Sequence, residues 1–191
     1  MEAVCIVRWV AAARRIVLLR GVNLGPRNRL AMPRLREELA AAGFEQVSTY
    51  VQSGNVVLSS RAAPAQLARS FRALLAERFA LDVEVIVRTR EELAEVVGRN
   101  PLADVAVNPK RYQVSFLERE PDAAVVRALG ELAAGDERFA AIGRELYAWH
   151  PDGVARSKLW ARLAGPSLGV PATARNWSTV TSLLALADEA V

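Results

Sequence analysis

Four short polar clusters hold the residues of this chain whose types and spacing suit chemistry. The first lies in RGVNLGPRNRL, where Arg20, Asn23, Arg27, Asn28 and Arg29 follow an apolar run and precede a helical pattern. A strand-to-helix loop aims backbone N–H groups and the positive end of the helix at whatever sits there, and arginine adds a bidentate fork for phosphate or carboxylate. The second is QSGN, where Gln52, Ser53 and Asn55 surround Gly54. It reads as a tight turn whose amides could also read a base edge or a carboxylate. The third is RSKL. Ser157 suits a helix N-cap, which puts Lys158 in the first turn, where the helix dipole disfavours a cation by ~0.3–1 kcal/mol. Only two of the 25 basic residues are lysine, so this one asks for a reason: an anion nearby, a lysine that must lose its proton, or a neighbouring carboxylate. The fourth is RNWSTV. Asn176 can cap the last helix, and Arg175, Asn176 and Trp177 together could hold an anion and stack a ring.

Other chemistries find no support. GVNLG is not G-x-G-x-x-G, nothing matches G-x-x-x-x-G-K-[ST], and no cofactor fingerprint is present. One cysteine excludes an internal disulfide, and one histidine excludes His–His metal sites, so no metal site is expected. A thiol–imidazole pair could only be Cys5 with His150. Cys5 belongs to the N-terminal segment, however, and His150, just before the PDG turn, reads as a strand end. The N-terminal segment starts with an acid and lacks a basic n-region, and no run approaches the ~18 apolar residues of a membrane span. A cytoplasmic protein without a membrane anchor is the expectation.

The elements that must position these clusters fall into two halves. Residues 1–90 carry a net charge of +7 and residues 91–191 a net of −3. A basic half can attract nucleotides, nucleic acid or an acidic surface, though complementary faces of one fold would give the same imbalance. After an N-terminal extension (1–14), the order over 15–89 is strand, helix, two strands hinged at QSGN, helix and strand, the ferredoxin-like arrangement. Pro33 opens the first helix and Gly43 follows it; Leu67, Phe71, Leu74, Leu75 and Phe79 give the second its apolar stripe. Thr89 and Glu92 predict a capping box at the join. The second half, 90–191, repeats the rhythm more loosely, as β-α-β-β-α with a helix in place of the last strand. The fold class is therefore α+β, two ferredoxin-like halves packed together with extra C-terminal helices. Continuous runs such as IVLL and VIV predict a first sheet covered on both faces, by the second half or by a dimer partner. In a simple unit of this kind, the loop after the first strand and the QSGN turn are expected at opposite ends of the sheet.

The runs LLRGVNLG, LREELAAAGFEQVSTYVQSGNVVLSS, PDGVARSKL and PATARNWSTVTSLL resemble domain-of-unknown-function family 1697, a group of small bacterial proteins, over roughly Arg15 to Leu184. The resemblance implies that the four clusters are signatures of the family, and it implies no activity. Two positions depart from the family pattern: Pro26 stands where it typically has glycine, and Arg29 where it typically has lysine. A role for residue 29 that needs a deprotonatable amine is thereby weakened.

Three functional readings follow. One is a module binding an anionic ligand, such as a nucleotide, between the halves through Arg20, Asn23, Arg29, Gln52, Ser53, Asn55, Ser157, Lys158, Arg175, Asn176 and Trp177. Another is a small enzyme on a phosphorylated or carboxylated metabolite, with Lys158 as the reactive or charge-stabilising group. The third is an interaction or structural protein whose motifs specify turns and caps. Sequence-specific RNA binding is disfavoured, because RIVLL and NVVL carry no aromatic for stacking, and the aromatic strands lie in the acidic half.

Overall fold

A computed structural model describes residues 12–26, 28–165 and 168–189; Cys5 and Arg27 lie outside them. The first half runs β1 (Ala13–Leu19), α1 (Met32–Ala41), β2 (Glu45–Tyr50), β3 (Asn55–Ser60), α2 (Pro64–Phe79) and β4 (Val85–Thr89). Its four strands form an antiparallel sheet in the order β2-β3-β1-β4. Helix α3 (Arg90–Arg99) leads to the second half: β5 (Tyr112–Leu117), α4 (Ala123–Glu131), β6 (Arg138–Ile142), β7 (Glu145–Trp149), α5 (Lys158–Ala164) and β8 (Ala172–Asn176), followed by α6 (Trp177–Asp188). The order β6-β7-β5-β8 is the first sheet's order again.

Both halves are thus complete ferredoxin-like units, each followed by a helix. The expected helix in place of the last strand is corrected: residues 172–176, ATARN, form β8, paired antiparallel with β5 in the register Val114↔Arg175. ATARN has no apolar run to announce it. Its backbone is held by the β5 edge, while Arg175 and Asn176 serve other ends.

Local chemistry explains most boundaries. Proline occupies the first turn of α1 and of α2, where its missing N–H costs nothing. The capping box of α3 forms as expected: Thr89 Oγ1 accepts from the Glu92 N–H at 3.1 Å, and the Glu92 carboxylate accepts from the Thr89 N–H at 2.8 Å.

Strand alternation divides the interior into three cores. Val17, Leu19, Val56, Leu58, Val85 and Val87 pack against Leu35 and Leu39 of α1 and Phe71 and Leu75 of α2. Their neighbours Ile16, Leu18, Val57 and Ile86 face the other way. They meet Tyr112, Val114 and Phe116 of β5 together with residues of α3 and α6. Both faces of the first sheet are therefore covered, one by α1 and α2 and the other by the second half. A third core joins Leu117, Leu146 and Ala148 to α4 and α5.

The predicted placement of the first loop and the QSGN turn at opposite ends is also corrected. Because β1 runs antiparallel to β3, Leu18 lies opposite Asn55, and the Leu19 N–H donates to the Gly54 carbonyl at 2.8 Å. The end of β1 and the start of β3 share one end of the sheet.

Candidate functional site

Gly54 makes this junction possible. Its φ is +70°, and a Cβ there would lie 2.5 Å from Val22 Cγ2 and 2.7 Å from Leu19 Cβ. Only glycine lets the turn close on the loop. Asn23, itself in the left-handed region at φ 56°, latches the loop. Its Nδ2 donates to the carbonyls of Leu30 (2.8 Å) and Gln52 (2.7 Å), and its Oδ1 accepts from the Leu30 N–H at 2.8 Å. Asn28 Nδ2 donates to the Gly21 carbonyl.

The second half reaches this junction through Arg175. Its Nε donates to Asn55 Oδ1. Nη1 donates to Thr173 Oγ1 (2.8 Å) and the Ala174 carbonyl (2.7 Å), and Nη2 to the carbonyls of Leu19 (2.7 Å) and Ser53 (3.1 Å). A guanidinium has five N–H donors, and all five are used within the protein. Arg175 is 8% exposed and Asn55 fully buried. Among the described residues, no carboxylate is an acceptor. Burial pushes the Arg175 pKa down to about 10, so the group is still protonated at neutral pH.

Beside Arg175 opens a cleft of about 440 Å³ between the halves, in the size range of small-ligand sites. Arg20, Gly21 and Ser53 line it from the first half; Trp160 and Leu163 of α5, Thr173, Asn176 and Thr179 line it from the second. Arg20 also secures α5, since Nη2 donates at 3.0 Å to both the Ala164 and Gly165 carbonyls, where a cation suits the helix C-terminus. Asn176 caps α6 by accepting from the Thr179 N–H at 2.9 Å. A more open basin of about 740 Å³ adjoins the cleft at Leu24 and is lined by Asn23, Arg29 and Gln52. Among the described residues, neither hollow is lined by an aspartate or glutamate.

Three of the four clusters thus meet at one end of the molecule. The third contributes its helix but not its named residues. Lys158 is exposed and lines neither hollow; Ser157 caps α5 by accepting from the Trp160 N–H at 2.9 Å. Trp177 stacks on Tyr112 in the central core, with ring centroids 4.8 Å apart. His150 is fully buried after β7, with Nδ1 2.7 Å from Glu137 Oε1 and Nε2 without a partner among the described residues. Trp160, Gln113, Thr173 and Thr179 were not singled out by sequence. Trp160 sits between Leu159 and Leu163 in a pattern that reads as core, and the other three lie on elements whose pairing had to be known first.

An equivalent joint stands elsewhere in the molecule. Arg88 occupies the fourth position of β4, as Arg175 does of β8. Its Nη2 donates to the carbonyl of Leu117, the last residue of β5, and its Nε to the Glu145 carboxylate, the first residue of β7, at 2.9 Å. Leu19 and Asn55 hold the corresponding places in the first half. Burial lowers the pKa of Arg88 too, but there Glu145 opposes the shift.

The model of a protein family described as a protein of unknown function, DUF1697, matches residues 13–147. The chain belongs to the DUF1697 family. The match ends before α5, β8 and α6, so the second half's side of the cleft, apart from Gln113, lies outside it. Among solved structures, the conserved bacterial protein SP0830 from Streptococcus pneumoniae is similar, with a TM-score of 0.72 and 25% identity, over 93% of this chain and 100% of that one. No curated protein matches. No helix among the described residues is long and apolar enough to cross a membrane.

Proposed function

We propose that this protein binds a small anionic ligand, phosphorylated or carboxylated, in the cleft between its halves. The observation that carries the reading is the Arg175 charge, buried with no counter-ion among the described residues, beside a hollow in whose lining those residues place no acid. A charge so placed costs free energy that a bound anion would offset. Arg175 supplies charge, because its donors are occupied. Direct contacts fall to the groups that remain: Nε and Nη1 of Arg20, the amide nitrogen of Asn176 and the hydroxyl of Thr179, near the N-terminus of the 12-residue α6.

The lining favours binding over turnover. Among the described residues it includes no histidine, cysteine, lysine or carboxylate to act as base or nucleophile. Lys158, the candidate for a reactive amine, lies outside it.

Calorimetric titration with inorganic phosphate, AMP and citrate tests this reading in wild type and in Ala164→Trp. Ala164 is an exposed residue on the cleft wall, and the indole would fill the cleft without disturbing a core. At least one probe binds wild type, and the substitution abolishes that binding while leaving the ligand-free melting temperature unchanged. No binding by any probe, or equal binding by Ala164→Trp, overturns the proposal.

A further inference from the structure

The cleft and the outer basin form one trough: Leu24 walls both, and the loop after β1 and the turn before β3 supply residues to each. Along it, three arginines differ in how far the protein already uses them. Arg175 has every donor engaged; among the described residues Arg20 has only Nη2 engaged, on the end of α5. Arg29, exposed on the outer basin, has no hydrogen bond or ion pair to a described residue. Free guanidinium donors thus increase from the inner end outward.

The two ends also differ in character. The inner cleft has the indole of Trp160 and the apolar walls of Leu163 and Ala172. Two amides there keep complementary groups free: Asn176 uses its oxygen on α6, leaving its NH2 group, and Gln113 uses its nitrogen on the Lys110 carbonyl, leaving its oxygen. A donor and an acceptor beside an aromatic face suit the edge and plane of a heterocyclic base. The outer basin is open to water, which suits a strongly hydrated terminal anion gripped by the fork of Arg29.

Building on the reading of the cleft as an anion site, we propose that the ligand is a nucleoside polyphosphate laid along the trough. Its base lies in the inner cleft against Trp160, its first phosphate at Arg20 and its distal phosphate at Arg29. A ligand with a single anionic group would leave Arg29 idle.

The experiment is titration of wild type, Arg29→Ala and Ala164→Trp with AMP, ADP and ATP in the absence of divalent cations. Affinity rises from AMP to the longer nucleotides by about tenfold or more, as expected for a new charge-assisted contact. Arg29→Ala removes that rise while binding AMP as wild type does, and Ala164→Trp binds none of the three. Equal affinities for AMP, ADP and ATP, or a rise that survives Arg29→Ala, overturn the polyphosphate assignment and leave the cleft reading standing. Failure of all three nucleotides overturns it as well. The phosphate and citrate titrations then decide whether the cleft reading falls with it.

Discussion

At the end of β4 an arginine crosses to the other half and meets a carboxylate; at the end of β8 an arginine makes the same crossing and meets an amide. The surroundings differ in the same sense. Near Glu145 the turn before β7 carries Arg144, which pairs with Glu92 at 2.5 Å, and Glu118 and Glu120 lie close by. At the equivalent place the turn before β3 carries Gly54, and no acid among the described residues lines the hollow beside it. The connection after β5 spans residues 118–122, whereas that after β1 spans 20–31. One joint is completed by the protein's own side chains. The other leaves a positive charge beside a cleft under a longer loop; on the function proposed above, the duplicated architecture keeps one copy for stability and gives the other to a ligand.

The largest effect that could break this comparison concerns stability. Arg88→Ala leaves Glu145 buried without its partner, and removal of one member of a buried pair costs about 3–5 kcal/mol. Arg175→Ala strands an amide and several carbonyls but no charge, and about 1–3 kcal/mol is expected. Chemical denaturation of the two variants ranks them. Were Arg175→Ala the costlier, although it leaves no charge unpaired, charge pairing would not be what separates the joints.

An exchange of partners sharpens the same point at intermediate size. Asn55→Asp gives Arg175 a carboxylate where Arg88 has one, so it neutralises the cleft without removing a side chain. Affinity for the best-binding probe falls about tenfold or more, while the unfolding free energy stays within about 1–3 kcal/mol of wild type, because the new ion pair offsets the donation to the Tyr50 carbonyl that the amide loses. Glu145→Gln does the reverse at the other joint. It destabilises by about 1–3 kcal/mol and leaves probe binding alone, because the hollow at that end is lined by Glu92, Glu95, Glu118 and Glu120 and does not draw an anion. Undiminished binding by Asn55→Asp would show that the Arg175 charge does not recruit the ligand.

How much of this was legible in sequence depended on periodicity. Val17, Leu19, Val56 and Leu58 alternate within strong strands, and Leu67, Phe71 and Leu75 recur at helical spacing, so the first half reads directly. Thr89 and Glu92 announce the start of α3 by their chemistry alone. ATARN does not read as a strand, because its residues serve a joint and a cap rather than a continuous apolar face. Missing β8 hid the equivalence of Arg88 and Arg175, although VIVRT and ATARN both end in arginine and a capping residue just before a helix. The polar clusters were visible as residues with capacity to bond. Which bonds they make was not, since Asn23, Asn55 and Arg175 turn inward onto carbonyls brought to them by register. Lys158 stood out for its unfavourable place on a helix, a local argument that carries no information about what the helix faces.

The smallest expected effect lies at a second pair of equivalent positions, those just before the hairpins. Phe44 precedes β2 and packs on Phe71, with ring centroids 5.3 Å apart; Glu137 precedes β6 and meets His150. Burial opposes ionisation of Glu137, but hydrogen bonds from Ser157 and His150 outweigh it and hold the carboxyl below its ordinary pKa. A carboxyl depressed in the folded state binds fewer protons there than in the unfolded chain, so its stabilisation is full above the unfolded value and is lost as pH falls through the folded one. Glu137→Gln should therefore cost about 1 kcal/mol near neutrality, and its deficit against wild type should close below the usual carboxylate range. Phe44→Leu, a volume change in the equivalent position, should lower stability by an amount that does not vary with pH over the same interval. Denaturation curves for both variants between neutral and acid pH measure this. A Glu137→Gln deficit constant with pH would mean that the second half's latch is held by packing, as the first half's is, and the contrast between the two ends would then be one of shape rather than charge.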